Sequence, residues 1–331
     1  MSQMVIGIGT SHSPLLAMQP EMWVERARDD YKRTRIQLCD GRVLSYEQLA
    51  ADTGNRYAEL AVLDHFKKQH AAAQQALDRL AQDLADAAPD VVIVIGDDQD
   101  ELFNLTHMPA IAIFYGEKIV MHPTAEAEEH LPAWHQAALK GYSQDAAHVH
   151  RGAPEYSKAL IEALIERNVD IGASSEVTDA RAAGFGHAYG FVIERLFQGK
   201  RIPVVPVLLN TYFPPNVLRP ARCVEVGRLL REAVDALPGN QRVAIVASGG
   251  LSHFATDADF DRKVLEALRT GDSATLRSLP PSAFKSGSSE ILNWIMLGGA
   301  LEGLRSQWLD YLPVYRTPAG TGIGLAFGTW R

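Results

Sequence analysis

A chain of 331 residues with 47% hydrophobic and 22% charged residues can bury a large core, as one big α/β domain or two smaller ones. Its formal charge of -8 at pH 7 provides no basic footprint for a nucleic-acid backbone and works against an anionic membrane surface. The longest apolar runs, Val91 to Ile95 and Ile202 to Leu209, fall far short of the ~20 residues of a membrane-spanning helix.

From Met1 to Leu16 no basic region leads into a continuous apolar segment, because Gly, Thr, Ser and His interrupt it, so an intracellular, cytoplasmic chain is expected. Cys39 and Cys223 make neither a disulfide framework nor a Cys-rich metal site. Met4 to Gly9 reads as a short strand that breaks at Gly-Thr-Ser-His-Ser-Pro, leaving His12 just beyond a strand end. Glu21 to Arg35 has helical spacing, and Cys39 to Ser45 reads as a turn with Ser45 as the N-cap of the next helix. Asn55 to Ala88 is amphipathic, with Leu60, Leu63, Phe66, Leu77, Leu80 and Leu84 at helical steps, and Pro89 stops it.

Asp90 to Ile95 (DVVIVI) is the β-branched run of a strand buried on both faces, and it ends in the acidic stretch Asp97 to Glu101. Ala110 to Tyr115 is a second strand. The segment His122 to His150 carries five histidines among helical Ala and Leu; their spacing is not that of a zinc site and predicts structural roles. A helix over Pro154 to Arg167, a strand over Asp170 to Ser174 and a helix over Ala188 to Phe197 follow, the last preceded by Gly184-Phe185-Gly186-His187. Ile202 to Leu209 is a buried strand ending in a loop, Asn210 to Asn216, made rigid by its composition. After a helix over Ala221 to Ala236, the strand Arg242 to Ala247 ends in Ser-Gly-Gly-Leu-Ser-His253. Helical sequence from Asp257 to Leu279 and Ser286 to Leu304 precedes a tail with two short strands about Pro318 to Gly322. The pattern predicts a single α/β domain with a central mixed, mostly parallel sheet flanked by helices.

His12, the acidic stretch at 97 to 101 and His253 each follow a strand, where ligand sites of α/β sheets cluster. Spacing alone leaves each open as a ligand or as a hydrogen-bonded loop residue. His65 and His70 sit five residues apart, off a common helix face, and read as surface residues.

Four segments, Gly9 to Pro14 (GTSHSP), Asp90 to Ile95 with its acidic end, Ser248 to His253 (SGGLSH) and Ser286 to Glu290 (SGSSE), together resemble the class III extradiol dioxygenases. The chain is similar to the catalytic beta subunit of protocatechuate 4,5-dioxygenase and to gallate and 3-O-methylgallate dioxygenases. The resemblance covers most of the chain in order and is weakest near 18–88, which reads as a helical insertion in one catalytic domain spanning 1–331. It implies an Fe(II) cofactor, a catechol- or gallate-type aromatic diol and O2 as substrates, and a homo-oligomer. Matched residue by residue, it makes His12 and Glu290 metal ligands and His253 the catalytic histidine. His187 becomes a further catalytic, substrate-contacting histidine, and Thr321 a polar substrate contact. The family usually reads Asn-Asp-His or Pro-Asp-His after the buried strand, and that histidine is its second iron ligand. Here the chain reads Asp97-Asp98-Gln99, which puts Gln99 at the ligand position with only a neutral amide oxygen to offer. Three outcomes follow: Gln99 coordinates, a neighbour such as Asp98 or His65 replaces it, or the chain is a metal-poor noncatalytic subunit or a divergent metal enzyme.

Overall fold

The computed structural model describes residues 1–124 and 130–331, so helical character expected at 125–129 lies outside the described residues. The strands in chain order are β1 Gln3–Thr10, β2 Ile36–Gln37, β3 Val43–Leu44, β4 Val91–Asp97, β5 Ile111–Phe114, β6 Lys118–Val120, β7 Val149–Arg151, β8 Gly172–Ser174, β9 Val204–Leu209, β10 Arg242–Ser248, β11 His253–Ala255, β12 Ser306–Tyr315 and β13 Thr321–Trp330. The α-helices are α1 Pro20–Asp30, α2 Tyr46–Thr53, α3 Leu63–Ala87, α4 Ala133–Gly141, α5 Pro154–Ile165, α6 His187–Leu196, α7 Pro220–Ala236, α8 Ala258–Thr270, α9 Ser273–Ser278 and α10 Ile291–Ala300.

One mixed sheet runs β11-β13-β1-β10-β4-β9-β5-β8, with β12 also paired to β13. Its centre, β1, β10, β4 and β9, is parallel. Val91, Ile93 and Ile95 of β4 point into one core with α5 and α7 to α10, while Val92 and Val94 point into the other with α1, α3, α4 and α6. This double burial is why β4 reads as an unbroken apolar run rather than an alternating one. Because the central strands are parallel, their C-terminal ends share one edge, and the polar segments at His12, Asp97, Asn210 and Ser248 meet there.

The region 18–88 holds α1, α2 and α3. Ser45 caps α2 as expected, its hydroxyl accepting from Gln48 N at 3.2 Å while Gln48 Oε1 accepts from Ser45 N at 2.8 Å. The long helix α3 begins at Leu63 rather than Asn55, because Gly54 and Asn55 take left-handed conformations and end the preceding helix. It packs on the sheet through Phe66, Ala73, Leu77, Leu80 and Leu84, each large side chain contributing roughly 1.5–3 kcal/mol on burial. The expected helix from Ser286 starts instead as a 3-10 turn, Ser286–Glu290, before α10. The tail forms two ten-residue antiparallel strands, longer than its sequence pattern shows, because β13 is fully buried between neighbours and so lacks polar alternation. No helix among the described residues is long and apolar enough to cross a membrane, and Cys39 and Cys223 are buried free thiols.

Candidate metal centre

Four side chains, from the ends of β1 and β4, the start of α6 and the turn before α10, meet: ligand atoms of His12, Asp97, His187 and Glu290 all lie within 4.8 Å of one another. His12 is buried, and its Nδ1 lies 3.0 Å from Ser248 Oγ. The Ser248 hydroxyl spends its own proton on Ala188 O at 2.7 Å, so it can only accept from His12, and Nδ1 carries the hydrogen. His12 Nε2 then presents its lone pair 3.0 Å from Glu290 Oε2, where that buried nitrogen has no hydrogen-bond partner among the described residues. Two lone pairs facing each other in a dry site repel unless a proton or a metal ion lies between them. This arrangement fits a divalent metal ion.

Glu290 is positioned by the main chain, its Oε2 accepting from Gly250 N at 2.7 Å. Burial works against its charge, but His253, His12 and His187 outweigh that and hold its carboxyl well below the ordinary range. His187 opens α6 and is gripped by Glu101, whose Oε1 accepts from the ring Nδ1 at 2.8 Å and from the main-chain N at 3.1 Å. Burial lowers its pKa, yet Glu101 prevails and pushes it up to about 10. The Gly-Phe-Gly-His motif owes its second glycine to this contact, since a Cβ on Gly186 would sit 1.8 Å from Glu101 Oε2.

Gln99 also reaches the cluster. Its Nε2 donates to Asp97 Oδ2 at 2.7 Å and lies 3.4 Å from both His187 Nε2 and Glu290 Oε1. Burial and the neighbouring Glu290 raise Asp97 above its ordinary value. Asp98 turns away and organises the loop, accepting from the main-chain N of Glu101, Leu102 and Phe103; burial, then Glu101, pushes it up to about 7. His65 and His70 are half-buried on α3, and neither belongs to the cluster.

A cavity of about 600 Å³ opens over these residues, a size that holds a substituted aromatic molecule. His253 borders it with Nδ1 bonded to Leu251 O at 2.7 Å and Nε2 3.5 Å from Glu290 Oε2. Glycine at 287 lets the turn before α10 press on that ring, because a Cβ there would lie 2.5 Å from His253 Cβ. Tyr212 enters from the rigid loop, where the Asn210 side chain binds the main chain of Phe213 and Asn216.

Thr321 lies behind the wall rather than on it. It is fully buried, and its hydroxyl bonds to Thr317 Oγ1 at 2.8 Å and Asp30 Oδ2 at 3.0 Å; Gly322 and Ile323 line the cavity beside it. Asp30 also takes Arg316 Nε at 2.7 Å and Arg33 Nε at 3.1 Å, and these arginines keep its carboxyl low although burial opposes it. Arg316 and Arg26 both face the cavity. Arg26 lies over the Trp134 ring at 4.7 Å, and its Nη1 lies 3.7 Å from Oδ2 of the exposed Asp29. Burial first, and then Arg316, lowers its pKa to about 10. Neither arginine stands out in the sequence, because they lie at opposite ends of the chain and meet only through the fold. His122 and His135, read as structural, also line the cavity.

A mixed sheet with helices on both faces and histidine and carboxylate donors gathered at its strand ends defines an α/β protein with a possible metal site at that edge. Residues 60–326 match the family described as the catalytic LigB subunit of aromatic ring-opening dioxygenase, and the chain belongs to that family. It is also 25% identical over 246 residues to a 2,3-dihydroxyphenylpropionate/2,3-dihydroxicinnamic acid 1,2-dioxygenase of Comamonas testosteroni. That similarity covers 74% of this chain and 55% of the relative, so the chain spans little more than half of the relative's length. His12 and Arg26 precede the matched segment yet fold into the same site.

Proposed function

We propose that the protein is an extradiol ring-cleaving dioxygenase that uses Fe(II) and O2 on an aromatic vicinal diol. The observation that carries this reading is the lone pair of His12 Nε2 held against Glu290 beneath a cavity bordered by His253, in a chain of this family. His12 and Glu290 would hold the ion, with His187, Gln99 and Asp97 around it. Bound there, Fe(II) supplies the redox chemistry that joins a diol to O2.

The protein's own part is proton handling and orientation. With its Nδ1 hydrogen committed to Leu251 O, His253 directs Nε2 into the cavity as a base. It takes the proton of a substrate hydroxyl as the diol docks, holds it near Glu290, and returns it to oxygen as the ring opens. Arg26 and Arg316 give the cavity a cationic wall, which favours a diol carrying a carboxylate, whether on the ring as in gallate-type acids or on a short side chain. The same reading takes the protein to act in the cytoplasm as a homo-oligomer.

The test is anaerobic loading with Fe(II), followed by O2 uptake on protocatechuate, gallate and dihydroxyphenylpropionate. Uptake with ring opening is expected, and His253→Ala should lower turnover by about 10²–10⁴-fold at unchanged metal content. Iron-loaded protein that consumes no O2 with any vicinal diol overturns the proposal.

A further inference from the structure

We infer that His187, rather than Gln99, supplies the second imidazole of the metal centre, so that His12, His187 and Glu290 form its two-histidine, one-carboxylate set. The inference rests on the metal-dependent reading above and adds which residues of this chain hold the ion.

The argument begins with what surrounds Gln99. Its amide nitrogen faces Asp97 Oδ2 at 2.7 Å, Glu290 Oε1 at 3.4 Å and His187 Nε2 at 3.4 Å. The two carboxylate oxygens can only accept, so the NH2 end of the amide belongs there, and that nitrogen has no lone pair for a cation. Asp97 is similarly committed, with Oδ2 taking Gln99 and Oδ1 taking Asn293 Nδ2 at 3.2 Å.

His187 has the opposite character. Its Nδ1 hydrogen is bound to Glu101, which leaves Nε2 directed into the cluster. A carboxylate that orients a histidine through its far nitrogen is the usual support of a metal-ligating imidazole. His12 is oriented in the same way by Ser248, and the two rings meet edge to face at 4.6 Å between centroids. The 3.0 Å between His12 Nε2 and Glu290 Oε2 is the separation of two adjacent ligands on one ion with bonds of about 2.1 Å. His253 does not belong to the group of mutually close donors. The missing histidine of the Asp-Asp-Gln segment is thus replaced from the start of α6, and Gln99 serves as the strut that holds Asp97.

The experiment titrates the full-length apoprotein with Co(II) under nitrogen, following visible absorption, for wild type, His12→Ala, His187→Ala and Gln99→Ala, with circular dichroism to check folding. His12→Ala and His187→Ala are each expected to weaken binding by about 100-fold or more, and Gln99→Ala by less than about tenfold. Near-wild-type binding by folded His187→Ala, or loss confined to Gln99→Ala, overturns the assignment while leaving the metal-dependent reading intact. No Co(II) binding by wild type overturns both. Should His187→Ala fail to fold, pulsed electron paramagnetic resonance of Cu(II)-loaded wild type and His253→Ala gives an independent count. Two coordinated imidazoles in both support the assignment, and one in either refutes it.

Discussion

Gly186→Ala is the sharpest probe of how the cluster is held, because its effect follows from one distance. An added Cβ would fall 1.8 Å from Glu101 Oε2 and 2.0 Å from its Cδ, so the half-buried carboxylate must retreat by more than an ångström. Backbone strain plays no part, since φ -92° and ψ -177° at Gly186 are open to alanine. The retreat breaks the 2.8 Å bond to His187 Nδ1 and the 3.1 Å bond to its main-chain N. A charge-assisted bond contributes about 1.5–3 kcal/mol and a backbone bond about 1, for a total of about 2.5–4 kcal/mol. For a chain of this size that is a fall in Tm of roughly 4–6 °C. Freed of its carboxylate, His187 should bind Co(II) about 10–100-fold more weakly. The assays are thermal unfolding and Co(II) titration, with Glu101→Gln as the control that removes the charge without adding bulk. A Gly186→Ala protein with Tm within about 1 °C of wild type and unchanged metal affinity would refute the reasoning.

Three further outcomes are expected. Ser248→Ala removes the acceptor of His12 Nδ1 and should weaken Co(II) binding by about 10–100-fold, as read by the same titration. Arg26→Gln should lower kcat/KM for a carboxylated diol by about 10-fold or more while sparing catechol itself; equal losses on both would show that Arg26 does not read the carboxylate. Below pH 10 the ring of His187 holds a proton in the absence of metal, and a ligand must give that proton up. Metal affinity should therefore rise with pH across the neutral range, by about tenfold per unit for this one proton. Calorimetry in buffers of different ionisation enthalpy measures the proton released, and a pH-independent affinity contradicts this prediction.

Much of the fold is legible in the sequence because its signals are local. Asp90 to Ile95 reads as a doubly buried strand and proves to be β4, with alternate residues in opposite cores. Ser45 reads as a cap from its own chemistry and that of Gln48. Long-range events are not legible in this way: β13 loses its alternation because every residue in it is buried, and β6 pairs with β7 across a 28-residue intervening segment. In the site, His12, Gln99, His187, Glu290 and His253 all lie on the cavity. Thr321 instead stands behind the wall, its hydroxyl bound to Asp30, which also takes Arg316. Glu101 stands in the acidic stretch, but its role depends on the approach of Gly186, 85 residues later. Arg26 carries no local signal at all; its place on the cavity comes from the packing of α1.

The central claim, that this chain opens an aromatic ring with both atoms of O2, is tested most directly by mass spectrometry of the product formed from a carboxylated vicinal diol by the Fe(II)-loaded protein under 18O2. The account predicts a ring-opened acid that carries label from both oxygen atoms. A ring-opened product with one labelled atom or none, or a hydroxylated ring left intact, would contradict it.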